Sequence, residues 1–141
     1  MGGFVFVGYQ IREARKGSEL TALLTFFKNV TDAEDRMQRS AIENKQQVYF
    51  EFLNLLETYA AACNSNLLSG KAEDMVVDKL CSSVAVIQDT EELHGAFTIA
   101  VTDSSTFEEL VKFIKSHRDD ISLRTLEMRN SRIIKTQSEA T

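Results

Sequence analysis

Apolar residues recur along most of this chain every three or four positions, the period of helices that bury one face. After Gly17 the segment SELTALLTFFKNV sets Leu20, Leu23, Leu24 and Phe27 at that spacing, which predicts a short helix ending near Asn29. TDAE follows, with Thr31 as an N-cap and Glu34 three residues on, so a new helix is expected there. Its first part is mostly polar, with Met37, Ala41, Ile42 and Val48 as the inner stripe. Its second part is nearly continuous in apolar residues, and Val48, Phe52, Leu55, Leu56, Tyr59, Ala60 and Cys63 form a wide stripe. This reads as the central, most buried helix.

NSNLLSGK then supplies turn formers, with Gly70 as the bend. The next helix points Val76 or Val77, Leu80, Cys81, Val84 and Ile87 inward. Asp89 with Glu92 resembles another cap, but the segment behind it, residues 92–101, fits either a helix or a strand. The cleanest element follows: Ser105 with Glu108 makes a capping box, and Phe107, Leu110, Val111 and Ile114 repeat at helical spacing. Beyond Asp120 the apolar residues scatter, which predicts one loosely attached helix to Ile134 and a disordered tail. The pattern divides into an apolar-then-basic segment over 1–17, a helical domain over 18–120 and a basic C-terminal segment over 121–141. The fold expected is an all-α, single-domain bundle of five or six helices, whose short connections favour antiparallel neighbours.

Composition strengthens that reading in one respect. Average usage would give a chain of 141 residues roughly seven prolines, and there are none, which suits long uninterrupted helices. Charge adds a second constraint. Residues 1–17 carry three basic groups against one acidic, residues 118–141 carry five against four, and the total is −5, which leaves −8 on residues 18–117. An acidic body repels phosphate backbones, so nucleic acid is not an expected partner. Cys63 and Cys81 sit in apolar helical patterns and read as buried reduced thiols.

Candidate chemistry is sparse. His94 and His117 have no partner at the spacing of a zinc-binding helix, and no arginine precedes either histidine at the spacing of the HEPN-type ribonucleases. The paired carboxylates Glu34–Asp35, Glu73–Asp74, Glu91–Glu92, Glu108–Glu109 and Asp119–Asp120 fall mostly at predicted helix starts, where the helix dipole accounts for them. No phosphate-binding loop, dinucleotide fingerprint or nucleophile elbow is present. No catalytic, cofactor or metal residue is therefore assigned. Arg124, Arg129, Arg132 and Lys135 line one face of the terminal helix, either as a solvated surface or as a contact for lipid headgroups or an acidic partner.

The N-terminus has its own grammar. Phe4, Val5, Phe6 and Val7 are followed by Tyr9 and then by Arg12, Arg15 and Lys16, the order in which a membrane helix leaves the bilayer on its cytoplasmic side. Eight helical residues rise only about 12 Å, well short of a ~30 Å hydrocarbon core. Gln10, Ile11, Arg12, Ala14, Arg15, Lys16, Leu20, Ala22 and Leu23 resemble the junction in a group of small bacterial proteins of uncharacterised function, in which an N-terminal membrane helix enters a helical cytoplasmic domain. FEFLNLLETYAAACNSNLLSG is similar to a long apolar helix and turn of the same group. The resemblance implies a membrane anchor continued upstream; the alternative is that residues 3–16 are the first amphipathic helix of a soluble chain.

The functional expectation is a non-enzymatic helical interaction module with a protein partner, touching the cytoplasmic face of the membrane through its N-terminus and open to self-association. The alternative is a soluble, cytoplasmic inhibitor or immunity-type protein whose acidic body binds a basic partner.

Overall fold

The protein, described from a computed structural model, is all-helical, as the periodicity predicts. The backbone is described for residues 2–41, 43–102 and 105–141, and side chains for 20–41, 43–99 and 106–141. Among the described residues six α-helices follow in order: α1 (Gly2–Arg39), α2 (Lys45–Asn64), α3 (Gly70–Asp89), α4 (Glu91–Thr102), α5 (Glu108–Ser116) and α6 (Arg118–Glu139), with a 3-10 turn at Ser105–Phe107 before α5. The ambiguous stretch 92–101 is helix.

Predicted boundaries are corrected at two places, and the first is that the helix expected to run from Thr31 to Cys63 is broken between Arg39 and Lys45. The helix expected to end near Asn29 and the one expected to start at Thr31 are a single helix, continuous through Gly17. A glycine inside a helix costs about 1 kcal/mol, a penalty that packing elsewhere on so long a helix offsets. Continuity also fixes which face is inside. Phe26, Val30, Ala33 and Met37 are buried along one line of α1, and Leu23 and Phe27 pack against its edge. Leu20 and Leu24, read as inner positions, lie more than 100° round the helix from that line and are exposed. Ala41, read as part of the inner stripe, is exposed beyond the helix end; Ile42 lies outside the described residues.

The core gathers α1, α2, α3 and α5. From α2 come Tyr49, Phe52, Leu53, Leu56, Ala60 and Cys63, and from α3 Val76, Leu80, Cys81, Val84 and Ile87. Helix α5 adds Leu110 and Phe113, and Phe107 closes the layer from the turn before it. Helix α2 runs against α1, α3 and α5, as expected of a central helix. Gly70 opens α3 with φ +60°, a left-handed conformation that favours glycine, so it is the bend the pattern indicated.

Helix α6 is more firmly held at its start than its scattered apolar residues suggest. Ile121 and Thr125 are buried, and α3 is its main neighbour. Arg124 reaches Asp78 and Ser82, while Arg129 and Arg132 reach Asp89, so residue numbers rise together and the two helices run parallel. The short connections predicted antiparallel neighbours; here α4 and α5 act as the crossover that makes a parallel pair possible. The helix continues to Glu139, through the tail expected to be disordered, and every residue beyond Met128 is exposed.

Candidate interaction sites

A mainly apolar concavity lies at one end of the bundle, where the end of α1, the start of α2, the end of α3 and α4 converge. It encloses ≈ 510 Å³. Its apolar lining is Met37, Tyr49, Phe50, Val86, Leu93, Ala96 and Ile99; Gln38, Lys45, Gln46, Thr90 and Glu92 are the polar members. Each residue arrives there for a local reason. Met37 ends the buried line of α1, and Tyr49 begins that of α2. Thr90 is the one residue between α3 and α4, and its hydroxyl donates to the Val86 carbonyl at 2.9 Å.

The Tyr49 hydroxyl donates to the Leu93 carbonyl at 3.0 Å, which ties α2 to α4 beneath the groove. Burial holds that phenol protonated well above its ordinary range, so it acts as a structural donor rather than an acid or base. Two large apolar side chains stand exposed at the groove: Ile99 at 69% and Phe50 at 38%. Phe50 also stacks on Phe107, with ring centroids 6.5 Å apart. The apolar spacing gives neither residue a role, because Phe50 lies off the main stripe of α2 and Ile99 falls in the segment that fits either a helix or a strand.

The residues singled out as a membrane contact, Phe4, Val5, Phe6, Val7, Tyr9, Arg12, Arg15 and Lys16, lie on the helical backbone of α1, and their side chains fall outside the described residues. Among the described residues, no helix is long and apolar enough to cross a membrane. The histidines are far apart in the sequence and in role. His94 is exposed on α4, whereas the His117 ring stacks on Phe113 at 4.2 Å with Nδ1 lying 2.9 Å from the Phe113 carbonyl oxygen. Among the described residues, no group of three or more histidine, cysteine, aspartate or glutamate side chains is arranged to hold a metal ion. Cys63 and Cys81 are free and buried. Burial raises their thiols to about 11 and about 12 respectively, with nearby carboxylates, Glu73 and Asp120, adding to the rise.

Acids read as helix caps serve instead as joints between helices. Glu34, inside α1, accepts from Lys79 at 3.4 Å and from the Ser83 hydroxyl at 3.2 Å, which clamps α1 to α3. Asp89 pairs with Arg129 and Arg132 of α6. The start of α5 is capped across the bundle: the Glu57 carboxylate of α2 accepts from the backbone N–H groups of Glu109 at 3.0 Å and Leu110 at 2.6 Å, while the Ser105 side chain of the predicted box lies outside the described residues. Asn64 donates to the Glu109 carbonyl and carboxylate, and that hydrogen bond, followed by one from Lys112, holds the Glu109 carboxyl below its usual range. The Glu73, Glu91–Glu92, Glu108–Glu109 and Asp119–Asp120 acids do occupy first turns. The terminal arginines divide accordingly: Arg124 is spent on Asp78, Asp120 and Ser82, and Arg129 and Arg132 remain more than half exposed beside Asp89.

The chain matches no protein-family model, no curated protein and no solved structure.

Proposed function

We propose that this protein is a non-enzymatic helical interaction module that receives an amphipathic helix of a partner protein in the groove between α1, α2, α3 and α4. The observation that carries this reading is the groove itself: an apolar trough of ≈ 510 Å³ with Phe50 and Ile99 presented to solvent. Helix-in-groove recognition uses such a trough, with apolar anchors at i, i+3 or i+4, and i+7 of the incoming helix. Its deepest hydroxyl, on Tyr49, is already satisfied by Leu93, so the contact it offers is mainly apolar. The −8 carried by residues 18–117 favours a helix with basic flanks, which joins the alternative reading, an acidic body that binds a basic partner, to the same surface.

The continuity of α1 favours a membrane-surface contact in addition. Helix α1 is about 57 Å long and its partner α2 about 30 Å. Phe4, Val5, Phe6, Val7 and Tyr9, with Arg12, Arg15 and Lys16 behind them, are then carried on the same rod as the core residues Phe26 and Val30. That order of residues suits insertion of an apolar tip under anionic headgroups.

The groove is tested by selecting helical peptides from a displayed library against the whole protein. Enriched peptides are expected to repeat apolar residues at helical spacing and to lose binding at least tenfold to the Ile99→Asp protein. Peptides without that period, or with equal affinity for the variant, overturn the reading. Co-sedimentation with vesicles containing anionic lipid, compared between the wild type and Phe4→Ser/Phe6→Ser, tests the membrane contact separately.

A further inference from the structure

The end of the bundle opposite the groove is defined by helix register. Phe26 of α1 meets Tyr59 of α2, with ring centroids 4.1 Å apart, and Arg36 meets Glu51 at 3.3 Å, so the two helices run antiparallel. That pairing sets Asn64, the last residue of α2, level with about residue 22 of α1, so about 30 Å of α1 continues past the end of α2. Glu34 with Lys79 and Ser83, and Met37 with Val86 at the groove, make α3 parallel to α1 and bring its start, Gly70, to the same level. The turn between α2 and α3 therefore sits beside the root of the projecting part of α1.

That turn is a fixed one. Asn66 has φ +57°, and the N–H groups of Leu67 and Asn66 donate to the carbonyls of Ala62 at 3.1 Å and Cys63 at 3.3 Å, the Schellman arrangement. The apolar residue after such a cap normally folds back on the last turn of its helix. The side chains it would cover here are Ala61 and Ala62, too small to shield it, and Leu67 stays 75% exposed, the highest value for a large apolar side chain among the described residues. Leu20 and Leu24 of α1 lie at the same level and are also more than half exposed. The acidic excess of the body is absent at this end: exposed Lys71, Lys115 and Arg118 offset Glu73, Asp74 and Asp119, and Arg12, Arg15 and Lys16 stand on the projecting part of α1 against Glu13 and Glu19.

We propose that this end of the bundle rests on an anionic bilayer, with Leu67 entering the headgroup layer beside the basic residues of α1. This second contact rests on the membrane reading of the α1 tip. Leu67 is level with about residue 20, some 6 Å past Lys16 along the axis. Packed helices lie about 8–10 Å apart, so a tilt of about 30° toward α2, within the range of membrane helices, lowers the turn by about 5 Å and brings Leu67 to the level of Lys16. Because the cap already holds the turn in one conformation, Leu67 enters without the ordering cost that a flexible loop would carry.

The contact is tested on the full chain with vesicles of phosphatidylcholine and phosphatidylglycerol. Leu67→Cys carrying an environment-sensitive nitrobenzoxadiazole label is expected to shift its emission to the blue when the vesicles are added, while the same label on Glu91→Cys, at the groove end, stays unchanged. Cys63 and Cys81 are buried and remain unlabelled. Leu67→Ser, altered at an exposed position, is expected to keep the circular dichroism of the wild type and to co-sediment about tenfold more weakly. A wild type that does not co-sediment overturns the tip reading and this contact with it. If the wild type binds and Phe4→Ser/Phe6→Ser releases it, but the label at position 67 stays in water, the tip reading stands and the contact through the bundle is overturned. Equal shifts at positions 67 and 91, or undiminished binding by Leu67→Ser, also overturn it.

Discussion

Helices α2 and α6 are nearly the same length, yet they are held by different forces. Helix α2 buries Tyr49, Phe52, Leu53, Leu56, Ala60 and Cys63 and is surrounded by α1, α3 and α5. Helix α6 buries Ile121 and Thr125 and packs Met128 against the core, and the rest of its described grip on α3 is polar: Arg124, steadied by Asp120 of its own helix, with Asp78 and Ser82, and Arg129 and Arg132 with Asp89. Apolar burial scales with area and is insensitive to salt, whereas pairs at a surface are worth little individually and weaken as salt and pH change. The centre of the bundle and its last helix should therefore respond to different perturbations, and the seam between α2 and α5 should lie between them.

The largest effect belongs to the centre. Leu56 is fully buried, so Leu56→Ala removes packed methyl groups and leaves a cavity, an expected loss of about 2–5 kcal/mol in denaturant unfolding. A loss well under that range would mean that the core collapses around the gap, and that α2 is less rigidly packed than its burial indicates.

The next effect tests the polar seam. Glu57→Ala removes the acceptor for two backbone N–H groups at the start of α5, and a cost of about 1 kcal/mol is expected, as for other helix caps. Amide exchange should quicken at Glu109 and Leu110 before it changes in α2. Unchanged exchange there would show that Glu57 is not the cap.

The smallest effect separates the two helices by pH. The Asp120 carboxyl is held below its ordinary range, first by its hydrogen bond from Arg124. A depressed folded-state value means that the stabilisation is complete above the unfolded value, near 3.9, and is lost as pH falls through the lower folded value. Amide protection around Asp120 and Arg124 in α6 is therefore expected to drop below about pH 4 while that of α2 holds, and Arg124→Gln should remove the difference. Equal loss in both helices would place the acid sensitivity elsewhere in the bundle.

The contrast also explains what was legible in the chain. The stripe of α3 was readable outright, since Val76, Leu80, Cys81, Val84 and Ile87 recur at helical spacing and all are buried. Tyr49 and Leu53 were missed because α2 is apolar around more than one face, and Phe113 because it lies at the edge of the single apolar face of α5, beside the spacing set by Phe107, Leu110, Val111 and Ile114; spacing alone does not say which positions meet neighbours. The groove was not legible at all. Its lining comes from four separate helices, and Phe50 and Ile99 are distinguished only by where the others leave them.

The sequence by itself determined that this protein is helical, because the period of apolar residues and the absence of proline are local properties that each turn expresses on its own. Tertiary structure decided the partners of the charges. Glu34, Asp89 and Glu108 stand where capping residues belong, yet Glu34 clamps α3, Asp89 holds α6, and α5 takes its cap from Glu57 on another helix. A carboxylate pairs with whichever donor the fold brings within about 3 Å, and that distance is set by packing rather than by neighbours in the chain. The same holds for the apolar residues left outside. Nothing in the spacing of Leu123, Leu126, Ile133 and Ile134 marks them as exposed; they are outward because Ile121 and Thr125 turned the other face of α6 to α3.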